Sequence, residues 1–175
     1  MTLPACWMLA LKALVCDSGG NRLNFRTVAV CVVMKQELDM NHQKIGRLEN
    51  LEPLTKVERL YCRWNLIKKI ENLETLVTLR ELELYDNQIT VLENLDSLVN
   101  LEILDVSFNR LREIKGLDQL HKLDKLFLCA NKISRIENVS HLKNLTLLEL
   151  GDNKIRASGS CSITTGCFFC CCLEH

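Results

Sequence analysis

Residues 76–97 read LVTLRELELYDNQITVLENLDS, and residues 98–119 read LVNLEILDVSFNRLREIKGLDQ. Laid one above the other, the two stretches place Leu, Ile or Val at the same eight positions, with Asn87 directly above Asn109. Carried outward without an insertion, the 22-residue register brings Gln43, Asn65, Asn87, Asn109, Asn131 and Asn153 into one column. The pattern is LxxLxxLxLxxNxIxxIxxL. Four repeats are whole (54–75, 76–97, 98–119, 120–141), a partial one leads from Glu37, and a last one breaks off. A fixed period of this length dictates the architecture before any single helix or strand is assigned.

Each part of the pattern has a physical reason. The LxL pair alternates with polar residues at period two, so Leu60 and Cys62 are expected to point inward while Arg59, Tyr61 and Arg63 point out, as in a short half-buried strand. The asparagine that follows offers two donors and an acceptor to backbone groups where the chain leaves the strand, and stacked copies should form a polar ladder. The LxxL spacing that closes each turn fits a helical or 3₁₀ segment. One repeat buries too little to fold alone, so neighbours must share faces. The expected fold is an α/β leucine-rich-repeat solenoid: a curved parallel concave sheet with short helical or 3₁₀ segments on the convex side.

Composition marks the limits of that unit. The 175 residues carry 22 basic and 22 acidic side chains, a formal net charge of zero. Neutrality argues against a chain held on nucleic acid or an anionic membrane by charge alone, and no uncharged apolar run is long enough to span a bilayer. Of the 44 charged residues, 38 fall between Glu37 and Ala157, which separates an apolar leader (1–36) and a Cys-rich tail (158–175) from the repeat body (37–157).

The stretches RELELYDNQITVLENLDSL, LEILDVSFNRLREIKGLDQL, KLDKLFLCANKISRIENVSHL and LLELGDNKIRA resemble the 22-residue, SDS22-like class of leucine-rich repeat, and more narrowly the regulatory-subunit family of type-1 protein phosphatase. The resemblance covers Glu37 to Ala157. It implies a non-enzymatic protein of nucleus and cytoplasm whose concave sheet lies against the phosphatase catalytic subunit, with acidic and aromatic side chains at the middle strand position. Carried over, that position holds Asp105, Phe127 and Glu149. The strand alternation independently gives a middle rank of Asp39, Tyr61, Glu83, Asp105, Phe127 and Glu149, flanked by Glu81, Tyr85 and Trp64. Aromatic anchors within a charged surface are what specific protein interfaces use. Solvated positions forced outward by alternation would look the same, above all at Glu81 and Glu83.

The ends depart from the family, whose solenoid is longer and closes in a C-terminal cap. This chain leaves the pattern at Ser158. Leu145, Leu148, Leu150 and Ile155 would then be exposed and invite self-association, unless Ile163, Phe168, Phe169 and Leu173 fold over that end as a cap. Cys161, Cys167 and Cys170 to Cys172 lack the two separated pairs of a tetrahedral zinc site, so no metal and no cofactor is expected, although clustered cysteines are also a palmitoylation pattern. In the leader, PACWMLALKALV has no basic n-region and no clean cleavage site. TVAVCVV at 27–33 is expected to pair with the strand at Leu38–Met40 and cover the N-terminal edge.

Two other classes stand against this reading. One is an extracellular or cytoskeletal binding module with another partner; the extracellular form would use the sequons Asn138-Val139-Ser140 and Asn144-Leu145-Thr146, but Leu145 is a core position and the cysteines lack the spacing of disulfide caps. For an enzyme there is no GxSxG, phosphate-gripping glycine loop or HExxH, and the four histidines fall at unrelated repeat positions. The carboxylates of Glu83 and Asp105 fall on adjacent strands, where a repeated acidic rank reads as binding surface.

Overall fold

The computed structural model describes residues 36–155 and the backbone of 168–170. Seven three-residue strands follow one another: β1 (Glu37–Asp39), β2 (Arg59–Tyr61), β3 (Glu81–Glu83), β4 (Ile103–Asp105), β5 (Lys125–Phe127), β6 (Leu147–Glu149) and β7 (Phe168–Cys170). They make one parallel sheet in that order. From β1 to β6 every residue pairs with the one 22 positions on, as Leu60 with Leu82 and Leu82 with Leu104. The sequence period is therefore one turn of the solenoid, and equivalent positions of successive repeats stack on one another.

Alternation along the strands builds the inner side of the sheet. Leu38, Leu60, Leu82, Leu104, Leu126 and Leu148 form one buried rank, and Met40, Cys62, Leu84, Val106, Leu128 and Leu150 the next. Ile67, Ile89, Leu111 and Ile133 continue the same core past the bend, with Ile70, Leu92 and Ile114 behind them. Truncating such a side chain to Ala typically costs about 2–5 kcal/mol.

Buried polar atoms inside this apolar stack need partners, and the asparagines supply them. Asn109 shows the arrangement: its Oδ1 accepts the Ile89 N–H at 2.8 Å, and its Nδ2 donates to the carbonyls of Leu84, Val106 and Ser107 at 2.9, 3.1 and 3.1 Å. Asn65, Asn87, Asn131 and Asn153 repeat it, each Oδ1 accepting from an N–H of the preceding turn. Gln43 heads the column and instead donates its backbone N–H to Asn65 Oδ1.

A second rank accounts for the recurring Glu-Asn pairs. Asn50, Asn72, Asn94 and Asn138 all have left-handed backbone, with φ between 59° and 61°. Asn72, Asn94 and Asn138 each donate Nδ2 to a carbonyl 24 residues back, those of Leu48, Ile70 and Ile114. Asparagine tolerates this conformation and uses it. At the same station Gly116 has φ of 68°, and a Cβ there would lie 2.6 Å from the Leu92 carbonyl oxygen.

The convex side differs from the sequence expectation: among the described residues it holds turns and no helix. Each LxxLxxL run closes with two separate i-to-i+3 bonds, such as Leu76 N–H to Leu73 O and Leu79 N–H to Leu76 O, both 3.0 Å. The turns start three residues apart, and the N–H groups of Arg80 and Glu81, which follow the second turn, bond across to Glu58 O. Bonds to the neighbouring turn replace the ones a helix would need.

At the C-terminal end β7 pairs in parallel with β6, Phe169 standing at the register of Leu148. Leu148 and Leu150 are fully buried and Leu145 nearly so, while Ile155 packs partly buried against the core. Of the two alternatives the sequence offered for this end, the open one is not found: β7 continues the sheet beside β6 and these four residues are covered to that degree. Ile163 and Leu173, the tail cysteines outside β7, and the leader with its 27–33 segment lie outside the described residues.

Candidate protein-binding face

Each turn shows three side chains on the concave sheet and a fourth on its rim, just before the ladder asparagine. The middle rank runs through the register as Asp39, Tyr61, Glu83, Asp105, Phe127 and Glu149, neighbour to neighbour. Five residues singled out from sequence, Tyr61, Glu83, Asp105, Phe127 and Glu149, thus stand in one line. Tyr61, Asp105, Phe127 and Glu149 are half-buried. Phe127 sits between two carboxylate-bearing neighbours, an apolar ring in an acidic row.

Glu83 is different. It is only 7% exposed and is held in an ion pair by Arg63 from the turn before. Burial pushes its carboxyl above the usual carboxylate range, Arg63 opposes that, and Glu81 and Asp105 add to the rise. Glu83 is therefore committed within the solenoid, and its neighbour Asp105 carries the free charge at the centre of the face. Asp105 Oδ1 accepts the Ser107 N–H at 2.9 Å, which fixes its direction.

Tyr61 donates its hydroxyl to Glu81 at 3.5 Å, and burial followed by the nearby carboxylates raises its phenol. Toward the C-terminal end, burial pushes the Cys129 thiol up to about 11, and Cys129 Sγ donates to Glu149 Oε2 at 3.7 Å. At neutral pH Cys129 is a protonated thiol that steadies Glu149. Among the described residues no three His, Cys, Asp or Glu side chains converge as a metal site would require.

Charge is unevenly shared. On the concave face the carboxylates are Glu37, Asp39, Glu81, Glu83, Asp105 and Glu149, and Asp86 and Asp152 stand on the rim. Three cations answer these eight: Arg59, Arg63 and Lys125. A neutral chain thus presents a face with five excess negative charges.

The rim holds what the sequence reading missed. His42, Trp64, Asp86, Phe108, Ala130 and Asp152 occupy one station in successive turns, all with φ between 51° and 56°. Tyr85 leans onto it from the adjoining rank. The rings join in a strip: His42 stacks on Trp64 at 4.3 Å and 7°, Trp64 meets Tyr85 edge-on at 5.7 Å, and Tyr85 meets Phe108 at 4.8 Å. Trp64 and Tyr85 were expected here, whereas Phe108 and His42 were not. Reading the residue before each ladder asparagine down the column would have found both. The two sequon amides are also occupied: Asn138 binds Ile114 O, and Asn144 Nδ2 donates to His121 O at 2.6 Å.

Comparison with known proteins agrees with the repeat architecture. Residues 77–119 match the family described as Leucine Rich repeats (2 copies). Over 39 residues the chain is 60% identical to protein phosphatase 1 regulatory subunit 7 of Homo sapiens and 57% identical to that of Xenopus tropicalis. The match covers 22% of this chain and 11% of the relative, so the chain spans about a tenth of the length of the curated proteins it matches. Among solved structures, an internalin (InlF) of Listeria monocytogenes is similar with a TM-score of 0.73 at 25% identity, over 87% of this chain and 44% of that one. The functional domain of InlJ, also from Listeria monocytogenes, has a TM-score of 0.60 at 30% identity, over 69% and 26% respectively. Sequence period, hydrogen-bond register and structural likeness lead to one conclusion: the chain is a solenoid of leucine-rich repeats.

Proposed function

We propose that this solenoid is a non-enzymatic scaffold whose concave face docks the catalytic subunit of type-1 protein phosphatase, in the nucleus and cytoplasm, and so directs where or on what that enzyme acts. The observation that carries the reading is the 60% identical stretch shared with a phosphatase regulatory subunit, on a chain whose concave middle rank is acidic and aromatic. Asp105 supplies a carboxylate fixed by the Ser107 N–H, Phe127 a half-buried ring beside it, and Glu149 a second carboxylate steadied by Cys129. A ring flanked by charges is the arrangement in which truncation of one residue removes a large share of binding energy.

The test is a calorimetric titration of the purified chain with the phosphatase catalytic subunit. Binding is expected, with Asp105→Lys and Phe127→Ala each weakening it by about 2 kcal/mol, near 30-fold. Val77→Ala, at an exposed convex position, is expected to leave it unchanged. Absence of binding by the unaltered chain, or equal affinity in all three variants, would overturn the proposal.

A further inference from the structure

The aromatic strip on the rim lies off the middle rank. Trp64 is 41% exposed and Phe108 47%, so neither is explained by the core. Their backbones are left-handed, with φ of 54° and 55°. Bulky residues in that region carry about 1–3 kcal/mol of strain, whereas aspartate, which fills the same station at Asp86, adopts it more readily. The solenoid thus sets an unfavourable conformation for aromatic residues and leaves nearly half of each ring's surface open.

The surroundings indicate what such rings would meet. Asp86 stands at the station between Trp64 and Phe108, exposed, with no ion pair to its carboxylate among the described residues. The adjoining concave face carries the excess negative charge described above. The strip also shows its own stacking mode, since the flat His42 ring lies parallel on Trp64. Past Phe108 the next station is Ala130, too small to cover the outer side of the phenyl ring.

We propose that this rim is a second interaction surface, which takes an extended, arginine-bearing segment of a protein partner: a guanidinium stacks on Phe108 and reaches the Asp86 carboxylate. Arginine suits the site better than lysine because its planar cation stacks on an aromatic face and forms directed pairs with a carboxylate. The site is separate from the middle rank, so it stands or falls independently of phosphatase binding.

The experiment is a fluorescence-anisotropy titration of the full chain with labelled oligo-arginine and oligo-lysine peptides of equal length at near-physiological salt. The arginine peptide is expected to bind about fivefold more tightly, in keeping with the cation–π contribution at an exposed site. Phe108→Ala and Phe108→Leu should both bring the two peptides to equal affinity, while Asp86→Asn should weaken both. Melting temperatures of the variants check that the exposed substitutions leave the solenoid folded, and Trp64→Leu gives a second reading of the strip. Equal affinity of the unaltered chain for the two peptides would reduce the rim to a general negative field and overturn the proposal. So would an arginine preference that survives Phe108→Ala.

Discussion

Asn109→Ala probes the polar ladder where it is most enclosed. Asn109 is buried and flanked by complete turns, and its loss removes the only acceptor shown for the Ile89 N–H. The carbonyls it serves are affected less, because Leu84 O still receives Asn87 Nδ2 and Val106 O still receives Asn131 Nδ2. The expected loss is therefore dominated by one orphaned buried donor, with a smaller part from weakened carbonyl contacts, about 2–4 kcal/mol in all. Asn153→Ala makes the same chemical change where the side chain is only partly buried, so water can reach the freed groups; about half the loss is expected there. Asn109→Asp keeps the acceptor but turns a carboxylate oxygen toward the three carbonyls. It should be worse than Ala at neutral pH and recover in acid, where the protonated group can donate again. Urea unfolding followed by circular dichroism gives all three values. Equal losses at Asn109 and Asn153, or a loss at Asn109 below about 0.5 kcal/mol, the low end of a single hydrogen bond, would show that the ladder is not a structural spine.

Glu83→Gln tests the buried ion pair. Its folded carboxyl lies above the ordinary value, so its contribution to stability is fully present below the unfolded value and is lost as pH rises through the folded one; melting curves across acid to neutral pH should fall less steeply for the glutamine variant than for the unaltered chain. Gly116→Ala places a Cβ against Leu92 O in left-handed backbone and is expected to cost about 1–3 kcal/mol in a urea titration, a result that a flexible turn would not give. Deleting residues 158–175 removes β7 and leaves the β6 edge unpaired, so light scattering after gel filtration should show self-association together with a lower melting temperature. A monodisperse, equally stable product would mean that β7 does not protect that edge.

Much of this was legible because the 22-residue period multiplies a weak signal. Leu60 alone says little, but the same residue at 82, 104 and 126 fixes which face is inside, and the register follows. The middle rank was readable for the same reason, since strand alternation sends Asp105, Phe127 and Glu149 outward together. The turns between Leu73 and Leu79 were less readable. LxxLxxL spacing is shared by a helix and by chained single turns, and the bonds from Arg80 and Glu81 to Glu58 that decide between them join different repeats. Phe108 stands in the same column as Trp64, but its contact with Tyr85, which makes the strip, joins different turns and is not given by spacing.

The sequence by itself determined the repeat, the buried ranks, the asparagine column and the acidic-aromatic composition of the exposed wall, because each depends only on spacing along the chain. Tertiary structure alone decided that Glu83 is spent on Arg63, that Cys129 holds Glu149, that the rim rings touch, and that a strand from the tail continues the sheet beside β6. Those outcomes depend on distances between side chains of different turns and on where a non-repeating segment docks, and neither quantity is encoded in a period.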